Sequence, residues 1–229
     1  YDITTSWRGG TREGPRAIIN ASRQLDELFF DEGNPFPIFT FDESELSCGP
    51  GREAIDGLKE VVGDILSKDK FPFLLGGEHS ITLGGVEALK EKHSNLSVLQ
   101  LDAHLDLLDE YCGSRYTHAC VMRRIQDLKI PTVQVGIRSI DPETEDYMKS
   151  GKIKNIFQAP KIPVEKVLEN LTEDVYLTVD LDVFDSGIMP SVGTPVPGGL
   201  GWYEVLDLIE KVAKKKNIVG ADVVELCPI

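Results

Sequence analysis

Leu96-Ser97-Val98-Leu99-Gln100-Leu101-Asp102-Ala103-His104-Leu105-Asp106 is the stretch from which both fold and chemistry are read. Its first six residues are too apolar for a strand with one solvated face, as in a parallel strand covered on both sides. The run then breaks into three side chains of metal-ligand type. Extended chain has a period of two, so Asp102, His104 and Asp106 leave it on the same side. Val175-Tyr176-Leu177-Thr178-Val179-Asp180-Leu181-Asp182 repeats the pattern and delivers Asp180 and Asp182 two residues apart.

Outward from these two runs, short β-branched or aromatic stretches alternate with amphipathic ones. Strands are predicted over Pro37 to Phe41, Phe71 to Leu75, Leu96 to Leu101, Thr132 to Ile137, Val175 to Asp180 and Ile218 to Val224, with a weaker one over Ile153 to Phe157. Apolar residues at helical spacing predict helices over Arg52 to Leu66, Ile81 to Lys92, Ala119 to Leu128, Val164 to Leu171 and Trp202 to Lys216. The βαβα rhythm predicts a three-layer α/β/α fold with a mainly parallel sheet. The turn-rich stretch from Phe184 to Gly201 is expected to line a site.

With 229 residues, 41% hydrophobic and 27% charged, one domain spanning 1–229 is expected. The chain opens at Tyr1 rather than a methionine, so further terminal residues are expected. A net charge of −14 disfavours nucleic acid and anionic membranes and favours small cations. No apolar run approaches the roughly 18 residues of a spanning helix, and no leader-like start is present, so a cytoplasmic protein without a membrane partner is expected. The four cysteines, Cys48, Cys112, Cys120 and Cys227, form no C-x-x-C pair, which suits a reducing compartment and leaves a Cys112–Cys120 bridge open.

In a parallel sheet the ligand crevice lies beyond the carboxyl ends of the strands, where both acidic clusters fall. Phe71 to Leu75 ends in Gly76-Gly77-Glu78-His79-Ser80, and two glycines let the chain turn so that His79 reaches the same edge. Four aspartates and two histidines there repel one another unless cations neutralise them, and two divalent ions would do so. Oxygen-rich ligation with a minority of imidazole favours Mn²⁺ over a thiolate zinc site, with zinc, cobalt or iron as other occupants. Adjacent residues on extended chain point apart, so Glu78 reads as a supporting hydrogen-bond partner rather than a general base.

These motifs, in order and spacing, resemble the metal motifs of the ureohydrolase, or arginase, family, with Asp180-Leu181-Asp182-Val183-Phe184-Asp185 as the third. The resemblance covers nearly the whole chain, from Tyr1-Asp2 and Gly10-Thr11-Arg12-Glu13-Gly14-Pro15 to Asp222-Val223-Val224-Glu225. It implies two Mn²⁺ per subunit, one held by His79, Asp102, Asp106 and Asp180 and the other by Asp102, His104, Asp180 and Asp182. A hydroxide between them would attack a guanidinium carbon and release urea. It further implies that His118 handles protons for the leaving amine and that Glu225 pairs with the guanidinium. A homo-oligomer, trimer or hexamer, is implied as well.

Within the family, the segment from Asp106 through Tyr116-Thr117-His118 to Arg123-Arg124 looks like agmatinases, so agmatine, a small cationic guanidino compound, is the first expected substrate. Asp109 and Glu110 are candidates for attracting its ammonium tail, or are simply solvated. Leu105 and Ala119-Cys120 depart from the common agmatinase pattern, and N1-aminopropylagmatine, giving spermidine and urea, is the alternative. Arginine or guanidinobutyrate ranks third, with Arg115 as candidate carboxylate receptor. Two readings of other classes compete: a one-zinc deacetylase on a related fold, which does not need six ligands, and a metal-binding homologue without catalysis.

Overall fold

The computed structural model describes residues 1–23, 40, 49, 51–151 and 153–228. Apart from Thr40, the expected strand Pro37 to Phe41 lies outside the described residues, as does Cys48.

Among the described residues, six parallel strands form one sheet: β1 (Phe73–Leu75), β2 (Leu96–Leu101), β3 (Thr132–Ile137), β4 (Ile156–Gln158), β5 (Asp174–Asp180) and β6 (Asn217–Val224), in the order β1-β6-β5-β2-β3-β4. The helices are α1 (Gly14–Ser22), α2 (Arg52–Ser67), α3 (Thr82–Lys92), α4 (Val121–Asp127), α5 (Pro142–Lys149), α6 (Val164–Asn170) and α7 (Trp202–Lys215). All six residues of β2 are buried, as are those of β3, which is why these strands read as continuous apolar runs.

Two hydrophobic clusters account for the layers. One joins α2, α3 and α4 through Ile55, Val62, Leu83, Val86, Leu89 and Ile125 to the sheet. The other joins α6 and α7 through Val167, Leu208 and Val212 to residues of β2, β3 and β5. The expected α/β/α architecture is present.

Three departures have local reasons. β1 is only three residues long, and Phe71, where the expected strand begins, is exposed. The helix expected from Ile81 starts at Thr82, after a 3-10 turn His79–Ile81, and that expected from Ala119 starts at Val121, after a 3-10 turn His118–Cys120. Helices α1 and α5 were not foreseen. α5 begins Asp141-Pro142, and the Asp141 carboxylate accepts from Thr144 N at 2.9 Å, but the helix has only eight residues and one buried side chain, too few to show a period.

The topology decides where a ligand can bind. From β2 the chain moves outward through β3 to β4, whereas from β5 it moves the other way to β6, so the direction of winding reverses between β2 and β5. The register puts the carboxyl ends level there: Leu101 pairs with Val179, Asp180 with Val224 and Val223 with Leu75. Asp102, Asp180, Glu225 and the turn carrying His79 therefore leave the sheet side by side.

Candidate metal centre and active site

At the reversal between β2 and β5, Asp102 lies at the centre of two ligand groups, His79–Asp102–Asp106 and Asp102–His104–Asp182, each with potential ligand atoms within 4.8 Å of one another. Nδ1 of His79 stands 3.0 Å from Oδ2 of Asp102, 3.0 Å from Oδ2 of Asp106 and 3.4 Å from Oδ2 of Asp180. Nδ1 of His104 stands 2.9 Å from Oδ2 of Asp182 and 3.6 Å from Oδ1 of Asp102. Asp180 belongs to neither three-residue group, but its Oδ2 approaches His79 of the first.

Each ligand is held by its neighbours. His104 N donates to Asp102 Oδ1 at 2.6 Å, Asp182 N to Asp180 Oδ1 at 2.9 Å, and Ala103 N to Asp182 Oδ1 at 2.9 Å. Nε2 of His79 contacts the Thr178 hydroxyl at 2.8 Å, which leaves Nδ1 to face the carboxylates. Asp106 has φ +53° and Glu225 φ +66°, a left-handed conformation that costs a non-glycine residue roughly 1–2 kcal/mol and persists only where surroundings enforce it. At both positions it occurs on a cleft-lining carboxylate.

The charge state follows from crowding. Burial opposes a proton on His104, but its hydrogen bonds with Asp102 and Asp182 outweigh this and push it up to about 12. His79 is raised for the same reason against the same opposition, by Asp102, Asp106 and Asp180. Burial and the Asp102 charge push Asp106 up to about 6, and burial with Asp182 and Asp102 raises Asp180. Asp102 runs opposite: burial would raise it, but His104 and His79 hold it well below the usual carboxylate range. The two histidines thus hold their protons tightly among the carboxylates.

The donor set fits divalent cations. Nδ1 of His79 is buried without a hydrogen-bond partner of its own, while carboxylate oxygens surround it. Carboxylate oxygens and imidazole nitrogens gathered within 4.8 Å of one another are an environment for a divalent cation.

All eight expected residues reach this place. His79, His104, Asp106, Asp180, His118 and Glu225 line one cleft, and Asp102 and Asp182 lie buried beside it. Glu225 Oε1 accepts from His79 N at 2.8 Å, and burial pushes the carboxyl up to about 8. Burial lowers His118, leaving it neutral at pH 7. Gly193 and Thr194 of the Phe184 to Gly201 loop line the cleft as expected.

Two candidate substrate contacts are corrected, and one open pairing is decided. Asp109 and Glu110 do not line the cleft. Asp109 binds Arg124 at 2.5 Å and Arg115 at 2.8 Å, and these cations hold it down to about 2. Arg115 is thereby engaged on the outside rather than offered to a substrate carboxylate. Cys112 and Cys120 do not pair; with Cys227 they are free thiols.

Several contributors were missed. Gln100 Nε2 donates to Asp102 Oδ2 at 2.6 Å, and Gln134 donates to Gln100 and, at 2.8 Å, to Leu105 O. Their signal was a lone amide inside an otherwise apolar buried strand. Arg138 donates to the carbonyls of Asp182, Phe184 and Val196 at 2.6, 3.2 and 2.7 Å, tying the 184–201 loop to β3. Thr5, Ser6, Trp7 and Arg8 form one wall of the cleft, and nothing in their local sequence announces it.

The family model described as "Arginase family" matches residues 1–229. An N(1)-aminopropylagmatine ureohydrolase of Synechocystis sp. is 36% identical over 243 aligned residues, covering all of this chain and 79% of its own length. An N(1)-aminopropylagmatine ureohydrolase of Thermococcus kodakarensis is 38% identical, covering 99% and 80%. The crystal structure of an agmatine ureohydrolase of Thermoplasma volcanium superimposes with a TM-score of 0.85 at 33% identity, covering 99% of this chain and 79% of that one. With the whole chain matched and its ligand motifs meeting at one sheet edge, this protein belongs to the arginase family.

Proposed function

We propose that this chain hydrolyses the guanidinium group of N1-aminopropylagmatine to spermidine and urea, and more weakly that of agmatine to putrescine and urea. The observation that carries the reaction is the pair of ligand groups sharing Asp102, open to a cleft that His118 and Glu225 also line. The preference for the longer tail is supported by the names of the relatives at 36–38% identity.

Two Mn²⁺ are proposed, one with His79, Asp102, Asp106 and Asp180, the other with Asp102, His104, Asp180 and Asp182. Such ions would supply a hydroxide nucleophile near neutral pH. Glu225 offers a buried carboxyl to the planar guanidinium, whose positive charge offsets the burial that raises its pKa. That contact orients the guanidinium carbon, the preorganisation a poor electrophile requires. His118, neutral at pH 7, accepts the proton shed as oxygen bonds to carbon and returns it to the departing nitrogen as the C–N bond breaks. Water thus supplies the urea oxygen and the amine hydrogen. One domain over 1–229, a homo-oligomer and a cytoplasmic location belong to the same proposal. The free thiols support a reducing compartment, and among the described residues no helix is long and apolar enough to cross a membrane.

A second reading rests on Arg8, which lines the cleft with its guanidinium 5.3 Å from the Trp7 ring centroid and is a cation that a substrate carboxylate could meet. Urea release from N1-aminopropylagmatine, agmatine, arginine and guanidinobutyrate, measured side by side on Mn²⁺-loaded protein of known metal content, tests both. The highest kcat/KM is expected for aminopropylagmatine. A preference for either carboxylate substrate overturns the tail assignment, and bound metal with no urea from any of the four overturns the reaction.

A further inference from the structure

We propose that Thr4 and Glu78 act as positioning residues for His118, fixing its neutral ring with the proton on Nδ1 and the free lone pair on Nε2. This rests on the guanidinium-hydrolysis reading, in which His118 moves protons.

The argument is a count of protons. Glu78 is fully buried, and its carboxylate accepts from Thr4 N at 2.6 Å, from the Ser80 hydroxyl at 2.6 Å and from the Thr4 hydroxyl. Three donors converge on this carboxylate, and the single hydroxyl proton of Thr4 is committed to it. Thr4 Oγ1 is then only an acceptor toward its two remaining neighbours, the backbone N of His118 at 3.3 Å and the ring Nδ1 of His118 at 3.4 Å. A neutral imidazole carries one N–H, and facing an obligate acceptor it carries it on Nδ1.

The three residues come from positions 4, 78 and 118, and the fold holds them in place. Glu78 N donates to Tyr1 O at 2.9 Å. The N-terminal segment crosses Gly77 so closely that a Cβ there would lie 1.7 Å from Tyr1 O. Tyr111 packs against the imidazole in a T-shaped contact, with ring centroids 5.7 Å apart and planes at 80°. With Nδ1 occupied and the ring lining the cleft, Nε2 is the atom that takes the proton and gives it back, while the Nδ1 proton stays on the Thr4 side.

Thr4→Val removes the hydroxyl at nearly constant volume, and Thr4→Ser keeps it. In Mn²⁺-loaded enzyme, kcat of Thr4→Val should fall about tenfold to a hundredfold with KM changed less than about twofold and metal content unchanged, while Thr4→Ser recovers most of the rate. Independently of turnover, ¹⁵N NMR of the four histidines in metal-free and zinc-loaded protein, with His118→Ala to identify the resonance, should show His118 protonated at Nδ1 in the wild type and Thr4→Ser. Thr4→Val should shift it toward the Nε2–H form.

A wild-type His118 protonated at Nε2, or a Thr4→Val enzyme with unchanged kcat, overturns the relay. Undiminished turnover in His118→Ala instead overturns the proton-transfer reading, while the NMR result still decides the tautomer. If Thr4→Val fails to fold, the wild-type spectrum alone confirms or refutes the assignment.

Discussion

The floor of the cleft and its N-terminal wall face the same space but are built by different means. The floor is made of strand ends: Asp102, His104, Asp106, Asp180 and Asp182 follow two adjacent parallel strands whose backbone ladders fix their positions. The wall, Thr5 to Arg8, has no ladder and is held by a few side chains. Asp2 accepts from Gly10 N at 2.8 Å and from Arg12 Nε at 2.6 Å, and Glu78 grips Thr4. A sheet edge thus supplies rigid ligands, and a tethered segment supplies adjustable recognition. Substrate preference is expected to vary through the wall and chemistry to depend on the floor.

The strongest attempt to break that division is Asp102→Ala. Loss of the shared ligand should lower affinity for both ions by more than about a hundredfold and abolish urea release while the circular dichroism spectrum is retained, as metal analysis on the same sample would show. Asp182→Ala should remove one ion and keep the other; two ions retained with full turnover would refute the shared-ligand arrangement.

His118 lies where floor meets wall. His118→Ala should keep metal content and reduce turnover by roughly 10²–10⁴-fold, the usual scale for a positioned acid–base group. Metal loss in that variant would move His118 into the floor.

The third test is pH. Metal-free protein holds protons on His104, pushed up to about 12, on the raised His79 and, below about 6, on Asp106, and binding must expel them. Metal affinity should therefore rise with pH, by about tenfold per unit for each proton released. Competition with a chelator of known affinity between pH 5 and pH 8, values chosen on the order of the Asp106 and neutral ranges, would measure it. A flat profile would mean that the cluster is not protonated as described.

The smallest effect concerns the wall. Asp2 is buried, which alone would raise its pKa, but the backbone N–H groups of Gly10 and Arg12 and the Arg12 side chain hold it below the usual value of 3.8. Its folded pKa is depressed, so its contribution is present above the unfolded value and lost as pH falls through the folded one. Asp2→Ala should cost about 1–3 kcal/mol at neutral pH and little below that window, read from denaturant unfolding at both. A metal content that also changed would show wall and floor to be coupled.

Much of the floor was legible because its ligands are near neighbours in the chain. Asp102, His104 and Asp106 share one motif, Asp180 and Asp182 another, and the apolar runs before them announce buried strands. His79 was found because two glycines mark the turn after β1. Gln100 and Gln134 left only the weak signal of a polar residue inside a strand. The tail-binding expectation for Asp109 failed because ion pairing with Arg124 and Arg115 depends on which helix face packs where.

The amino-acid sequence by itself determined the α/β class, the strand ends and which carboxylates and imidazoles leave them, since hydrophobic period and local motif spacing act over a few residues. Tertiary structure alone decided that β2 and β5 lie side by side at the reversal of winding, that Arg138 ties down the 184–201 loop and that Thr4, Glu78 and His118 meet. Those facts depend on strand order and on contacts between segments as many as 114 residues apart, which no local pattern encodes.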